Sequence, residues 1–327
     1  MFLPQDSHTA LLLIVVSMLC WGSWPNLLKA LPGWRLEYFY VDYTLGSVAA
    51  VLFIGATAGS AGIFGTEFMG RLMDASAPEV AFAVAAGLIW NAGNILLLYS
   101  IMIAGLAVAF PIASVLAIVL GVGISWWTQP IGDAGWLAAG AVVLVVAACA
   151  NARAYRDLAA ASGGSKSLGI GLALVAGLLV GIFPPFIARA ITGDQGLDPY
   201  SVTIFFMAGA VITASVGIPV LLARPFIGEP GRISGYLEGG PFRHALGLLA
   251  GAIWCAGTVA NFASAGLVGV AISWGIGSGA PMVGALWGIF LWHEFRGAGR
   301  GAVAMISGSL ALYAAGITLV AIAYALR

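Results

Sequence analysis

Charge is what this chain lacks most. Aspartate, glutamate, lysine and arginine together make up 8% of its 327 residues, and the formal net charge is zero. A soluble protein carries about 25% charged residues, so a water-exposed globular surface is excluded. No basic block suggests nucleic acid. Histidine occurs three times, and the three cysteines, Cys20, Cys149 and Cys255, are far apart in apolar runs. They read as small core hydrophobes, which excludes a disulfide framework and a thiolate metal site. Metal-ligand spacing, a phosphate loop and a nucleophile–base arrangement are all missing, so the reading is non-enzymatic, with no cofactor. Alternating ten-residue strands are also missing, which argues against an outer-membrane barrel.

What is there is apolar. The chain is 61% hydrophobic with a mean hydropathy of +1.03. Apolar runs of about 20 residues recur along its whole length, the length needed to cross a bilayer. The reading is an all-α membrane protein with ten transmembrane helices, near 9–31, 40–62, 79–102, 106–128, 132–151, 168–190, 199–222, 243–264, 267–291 and 301–325. The first run lacks a basic leader and is read as a retained helix. The main polar breaks are Asn151–Ser167, with the Gly/Ser-rich stretch "ASGGSKS" at Ala161–Ser167, and Arg224–Arg243.

The central break divides an internal repeat. "AGLIWNAG" (Ala86–Gly93) matches "AGAIWCAG" (Ala250–Gly257) at an offset of 164, which also pairs Gly105 with Gly269. "GSWP" (Gly22–Pro25) matches "GIFP" (Gly181–Pro184) at an offset of 159. Five helices per copy is an odd number, so the second copy enters the membrane from the opposite side. The expected architecture is two inverted five-helix repeats, residues 1–151 and 168–327, joined by a linker at 152–167 in one integrated membrane domain.

Residues that a plain spanning helix does not need mark candidate sites. Pro25 and the pair Pro184–Pro185 remove helix donors at matching places, and freed backbone in lipid must face protein or a wet cavity. Matched breaks point to a binding site near the midplane, with Trp24 and Phe183 just before each proline. Trp90, Asn91 and Asn94 lie mid-helix in helix three, and the two amides share a face. Trp254, Thr258 and Asn261 repeat the theme in helix eight. Amides and hydroxyls can donate and accept, and tryptophan offers a flat wall, a set that suits a small neutral polar solute. Interhelical glue is the competing reading of those polar groups. "SWGIGSGAP" (Ser273–Pro281) adds Trp274 and Ser278, although close packing explains its glycines as well. Asp42, with Glu37, is the candidate proton-coupling group, because a carboxylate inside the apolar layer is costly unless paired or hydrated. Lys29 or Tyr43 is its expected partner, and His244 is expected in a loop.

"MLCWGSWPNLLKALPGWRLEYFYVDYTLG" (Met18–Gly46) resembles the opening of the ureide permease family, in the drug/metabolite transporter superfamily. "NAGNILLLYSIMIAGLAVAFPIA" (Asn91–Ala113) and "WGIGSGAPMVGALWGIFLWHEF" (Trp274–Phe295) are similar to later family blocks, and related glucose/ribose and rhamnose–proton transporters share much of the pattern. The resemblance implies ten helices in inverted repeats and proton-coupled uptake of ureides or nucleobases such as allantoin or uracil. Trp24, Pro25, Asp42, Asn91 and Asn94 are its pattern positions. The long central loop of the plant members is absent here.

The sequence therefore points to a secondary active importer of a small neutral solute, working by alternating access. Its partners are that solute, protons and the lipid bilayer. A monomer suffices for the pathway, and a dimer is compatible with it. The alternative is a sugar importer on the same scaffold. Drug or metabolite export is disfavoured by the lack of a deep carboxylate in helices one, three, six and eight. Lysine and arginine fix the expected orientation in the cell's inner membrane. With both termini extracytoplasmic, ten basic residues (Lys29, Arg35, Arg153, Arg156, Lys166, Arg224, Arg232, Arg243, Arg296 and Arg300) face the cytoplasm, against Arg71, Arg189 and Arg327 outside. A protease-cleavable tag at either end should then be cut by protease added to intact spheroplasts. Cleavage only after lysis would reverse the orientation.

Overall fold

The computed structural model describes residues 1–60, 68–156 and 166–326. Most of the Ala161–Ser167 stretch lies outside them. The described residues are helical, without strands, and ten helices are long and apolar enough to cross a membrane. They span Ser7–Lys29, Leu36–Thr57, Ala77–Ala104, Val108–Thr128, Ala134–Tyr155, Ser167–Thr192, Pro199–Ala223, Pro241–Val268, Val270–Phe290 and Arg300–Ala325, and are numbered one to ten below. The protein is a multi-pass membrane protein. Two short helices, Phe68–Met73 and Ile233–Leu237, were not foreseen.

Helix two begins at Leu36, about four residues before its expected start. Its acidic first turn, holding Glu37, suits the positive end of a helix. Asp42 therefore lies nearly two turns into the helix. Helix eight begins at Pro241, and His244 lies in its first turn, not in a loop. Proline at the first helical positions loses no intrahelical bond.

The prolines act differently from one another. Helix one is interrupted at Trp24, between Ser7–Ser23 and Pro25–Lys29. Asn26 Nδ2 donates to the carbonyls of Gly22 (3.1 Å) and Ser23 (3.3 Å), covering backbone left over at the break. Helix six runs through Pro184 and Pro185 without interruption. Proline's fixed φ is itself helical, so two lost donors need not end a helix. The second interruption falls instead in helix nine, at Ser278–Gly279, with Pro281 opening the segment that follows.

The helices gather into two compact units. The first holds Met1–Ala92 and Phe186–Leu267; the second holds Gly93–Pro185 and Val268–Arg327. In the first unit, helix two packs on helix seven. In the second, helix five packs on helices four and ten. Cys255 is buried, whereas Cys149 is exposed and so lies outside the core expected for it.

Contacts recur at the offsets seen in the sequence. In the first unit, a Cβ on Gly251 of helix eight would sit 1.9 Å from the Tyr43 carbonyl oxygen of helix two. One on Gly87 of helix three would sit 1.8 Å from the Phe206 carbonyl oxygen of helix seven. Gly46 meets the Leu248 carbonyl at 2.0 Å, and Gly209 meets that of Val84 at 2.1 Å. Helices two and eight therefore make the contacts that helices seven and three make. Gly257 faces Ser17, Cys20 and Trp21 in the first unit, and Gly93 faces Ala176, Leu179 and Val180 in the second. Those partner sets are 159 residues apart, and the two glycines 164. Gly105 (φ 81°, ψ 154°) and Gly269 (φ 88°, ψ 148°) each precede a helix in nearly the same left-sided conformation, which favours glycine.

At Gly251, even one methyl group would collide with backbone, which cannot swing aside as a side chain can. Gly251→Ala should cost about 1–3 kcal/mol, as overpacking typically does, and lower the melting temperature of detergent-solubilised protein. An unchanged melting temperature would mean that helices two and eight are not held this closely.

Candidate functional site

The sequence-predicted residues divide between the two units. In the first, Trp90 and Trp254 stack on one another, with centroids 4.3 Å apart and planes at 21°. With the rings in contact, no solute fits between them. Trp90 also packs on Phe206 at 5.5 Å and Trp254 on Tyr43 at 5.8 Å. Tyr43 in turn touches Trp24 (4.7 Å), at the interruption of helix one, and Tyr40 (5.1 Å). Trp24, Trp90 and Trp254 are all buried. The result is a closed aromatic cluster built from helices one, two, three, seven and eight.

Polar groups are threaded through it. The Tyr40 hydroxyl donates to Asn91 Oδ1 at 2.6 Å, and Asn91 Nδ2 donates to the Ala210 carbonyl at 2.8 Å. Thr258 Oγ1 accepts from Trp21 Nε1 at 3.2 Å and donates to the Trp254 carbonyl at 3.0 Å. Asn261 is buried in the same unit. Thr258 thus spends its one hydroxyl hydrogen within helix eight and accepts a bond from helix one as interhelical glue. Asn91 is held by two bonds but keeps one amide hydrogen beyond them.

Asp42 is the second focus. Its carboxylate is 2% exposed. Its hydrogen bonds come neither from Lys29 nor from Tyr43. Tyr236, on the short helix Ile233–Leu237, donates its hydroxyl to Oδ1 at 2.6 Å. His244 Nδ1 lies 2.9 Å from Oδ2. Gly247, one turn along helix eight from His244, leaves room for the Asp42 side chain; a Cβ there would sit 2.4 Å from Asp42 Cβ. His244 itself is partly exposed and packs against Tyr236 (4.7 Å) and Trp34 (5.7 Å). Burial, with the hydrogen bond to Asp42 and its charge, pushes the Tyr236 hydroxyl up to about 12. That phenol therefore remains a neutral donor at physiological pH. Glu37 is held differently, by two bonds from Arg35 at 3.0 and 3.2 Å, while Arg35 also reaches the Glu229 carbonyl.

In the second unit, Phe183 meets Trp274 edge-on at 5.1 Å. Trp274 Nε1 donates to the Ala117 carbonyl at 3.1 Å, and Ser278 Oγ donates to the Trp274 carbonyl at 2.8 Å, at the interruption of helix nine. Asn94 is buried in this unit. A separate cavity of about 620 Å³ lies in the first unit. Leu3, Pro4, Gln5, the ion-paired Arg71 and Asp198 (3.3 Å), and Leu267 contribute to its wall, and none of the predicted site residues does. Sequence reasoning missed Tyr236 and His244, whose positions lie about 200 residues from Asp42. A tyrosine within the Arg224–Arg243 break and a histidine directly after it were the available signal.

Comparison with known proteins follows this geometry. The ureide permease family model matches residues 39–164, a segment that includes Asp42, Tyr43, Trp90 and Asn91. The chain is similar to the ureide permeases. Ureide permease 2 of Arabidopsis thaliana is 24% identical, over 92% of this chain and 93% of its own length. Ureide permease 5 of the same plant is 23% identical over 97% and 95%, respectively. Ureide permease 1 is 23% identical over 96% of each. A solved crystal structure, 16% identical, covers 98% of this chain and all of its own with a TM-score of 0.66, which supports the fold alone.

Proposed function

We propose that this protein is a proton-coupled secondary transporter that imports a small planar neutral solute of the ureide or nucleobase type. The observation that carries the reading is the buried aromatic cluster around Asn91, seated where helix one is interrupted. Flat aromatic walls suit a flat solute, and a buried amide supplies the polar contacts that a neutral heterocycle offers in return. The plant relatives named as ureide permeases support this class over sugars. In the cluster's closed form, Trp90 and Trp254 lie on each other. A solute would take the face that Trp254 turns toward Tyr43. The two halves of the chain run through the membrane in opposite senses, as the doubled glycine contacts support.

Asp42 carries the coupling proton. It is buried, and His244 places a partly exposed imidazole on one of its oxygens. A proton can thus pass from an imidazole that reaches toward water to a carboxylate among the helices. Tyr236 holds the other oxygen in place. Glu37 is the rim group, neutralised by Arg35.

Uptake of labelled uracil or allantoin into proteoliposomes should rise with an inward proton gradient, and excess unlabelled glucose or rhamnose should leave it unchanged. Asp42→Asn should remove the gradient dependence while solute binding stays measurable. If the variant keeps the wild-type gradient dependence, Asp42 has no part in coupling. Competition by glucose would turn the reading toward a sugar carrier.

A further inference from the structure

The Tyr43 hydroxyl is an odd group to find in this cluster. It is buried, and it has no hydrogen-bond partner among the described residues. Leaving a buried donor unanswered is costly, and native structures seldom do so without a reason. A tyrosine hydroxyl also stands too far from its own helix to return to a backbone carbonyl, as the unpartnered Ser17 and Ser125 could by rotating; Trp34 Nε1 and the Tyr313 hydroxyl are likewise buried without a partner among the described residues, but neither lies in the aromatic cluster.

Packing does not explain the hydroxyl. Tyr43 and Phe206 are 163 residues apart, and their surroundings match. Each offers its backbone carbonyl to a glycine, Gly251 and Gly87, and each lays its ring against a tryptophan, Trp254 and Trp90. Phenylalanine fills that role at position 206, so the same role at 43 needs no oxygen. The ring that carries the extra hydroxyl lies 4.7 Å from Trp24, at the interruption of helix one. Its neighbour one turn away, Tyr40, uses its own hydroxyl on Asn91. Tyr43 is also firmly placed, because Ser47 Oγ donates to its carbonyl at 2.8 Å and to that of Gly251 at 3.0 Å.

We infer that the Tyr43 hydroxyl is a specificity-determining donor that hydrogen-bonds a carbonyl oxygen of the transported solute. The inference rests on the aromatic cluster being the solute site. It assigns the solute a urea-type or lactam carbonyl directed at helix two. It also explains why the two halves of the cluster differ: one wall is wholly apolar at Phe206, and the other carries a single donor. A site with a buried donor rejects flat solutes that lack an acceptor there, because binding them would leave the donor unanswered.

The test is Tyr43→Phe, with Phe206→Tyr as the control, using purified protein and tryptophan-fluorescence titration with uracil, 2-thiouracil, 4-thiouracil and allantoin. Tyr43→Phe should weaken uracil binding by roughly five- to fifty-fold, the range that follows from loss of one buried hydrogen bond. It should also shrink the discrimination between uracil and whichever thio analogue binds the wild type less well. Without ligand, its melting temperature should equal or exceed that of the wild type, since an unanswered hydroxyl has been removed. Equal uracil affinity in the wild type and Tyr43→Phe would overturn the inference. So would a clear drop in the ligand-free melting temperature, which would reveal a structural partner for the hydroxyl. Failure of the wild type to bind every solute in the panel would instead count against the proposed function, and the ligand-free melting temperature would still decide the matter for Tyr43.

Discussion

Lipid offers no hydrogen bonds. Every polar group that this chain carries among its helices must be answered from within the protein or by what the protein binds. That constraint organises the structure. Asn26 covers carbonyls at the break in helix one, Thr258 joins helices one and eight, and Asn91 joins helices two, three and seven. Asp42 is buried only because a phenol and an imidazole are brought to it from distant parts of the sequence. Against that background, the unanswered Tyr43 hydroxyl is the one such group within the aromatic cluster among the described residues, and the reading of the site turns on it.

The same solvent makes glycine the main packing residue. Where lipid tails are as apolar as leucine, helices gain by approaching closely, and small residues permit it. The contacts at Gly46, Gly87, Gly209 and Gly251 bring backbones of the first unit to within a methyl group of one another. Because these contacts occur twice with partners exchanged, the tryptophans that stand at equivalent positions meet. The stack of Trp90 on Trp254 is a consequence of that duplication. Tyr43 opposite Phe206 is a point where the duplication lapses, as Asn91 opposite Cys255 is another, and lapses of this kind mark places where chemistry has been added to packing.

Much of the fold was legible in the sequence. Ten apolar runs of spanning length are a strong signal, and all ten helices lie within a few residues of their expected places. The 164-residue offset was legible at Gly93, Gly105, Gly257 and Gly269, and the 159-residue offset at Gly22 and Gly181, because backbone constraints preserve glycine where other residues drift. Local proline chemistry was less so. Pro25 and Pro184 look equivalent on paper, yet helix one is interrupted and helix six is not, since proline's own geometry is compatible with a helix. The interruption in helix nine was hidden among glycines that also suit close packing. Long-range pairing was the least legible. Nothing local to Asp42 names Tyr236 or His244, and Tyr43 becomes informative only beside Phe206, a comparison that needs the repeat extended to helices two and seven.

The central claim is that movement of a neutral flat solute is tied to movement of a proton through Asp42 and His244. It is tested most directly by trapping a pH-sensitive dye inside proteoliposomes and adding uracil or allantoin outside, with no gradient imposed. The account predicts that the lumen acidifies as the solute enters, and that Asp42→Asn abolishes the signal. Entry of labelled solute with no change in luminal pH would contradict it.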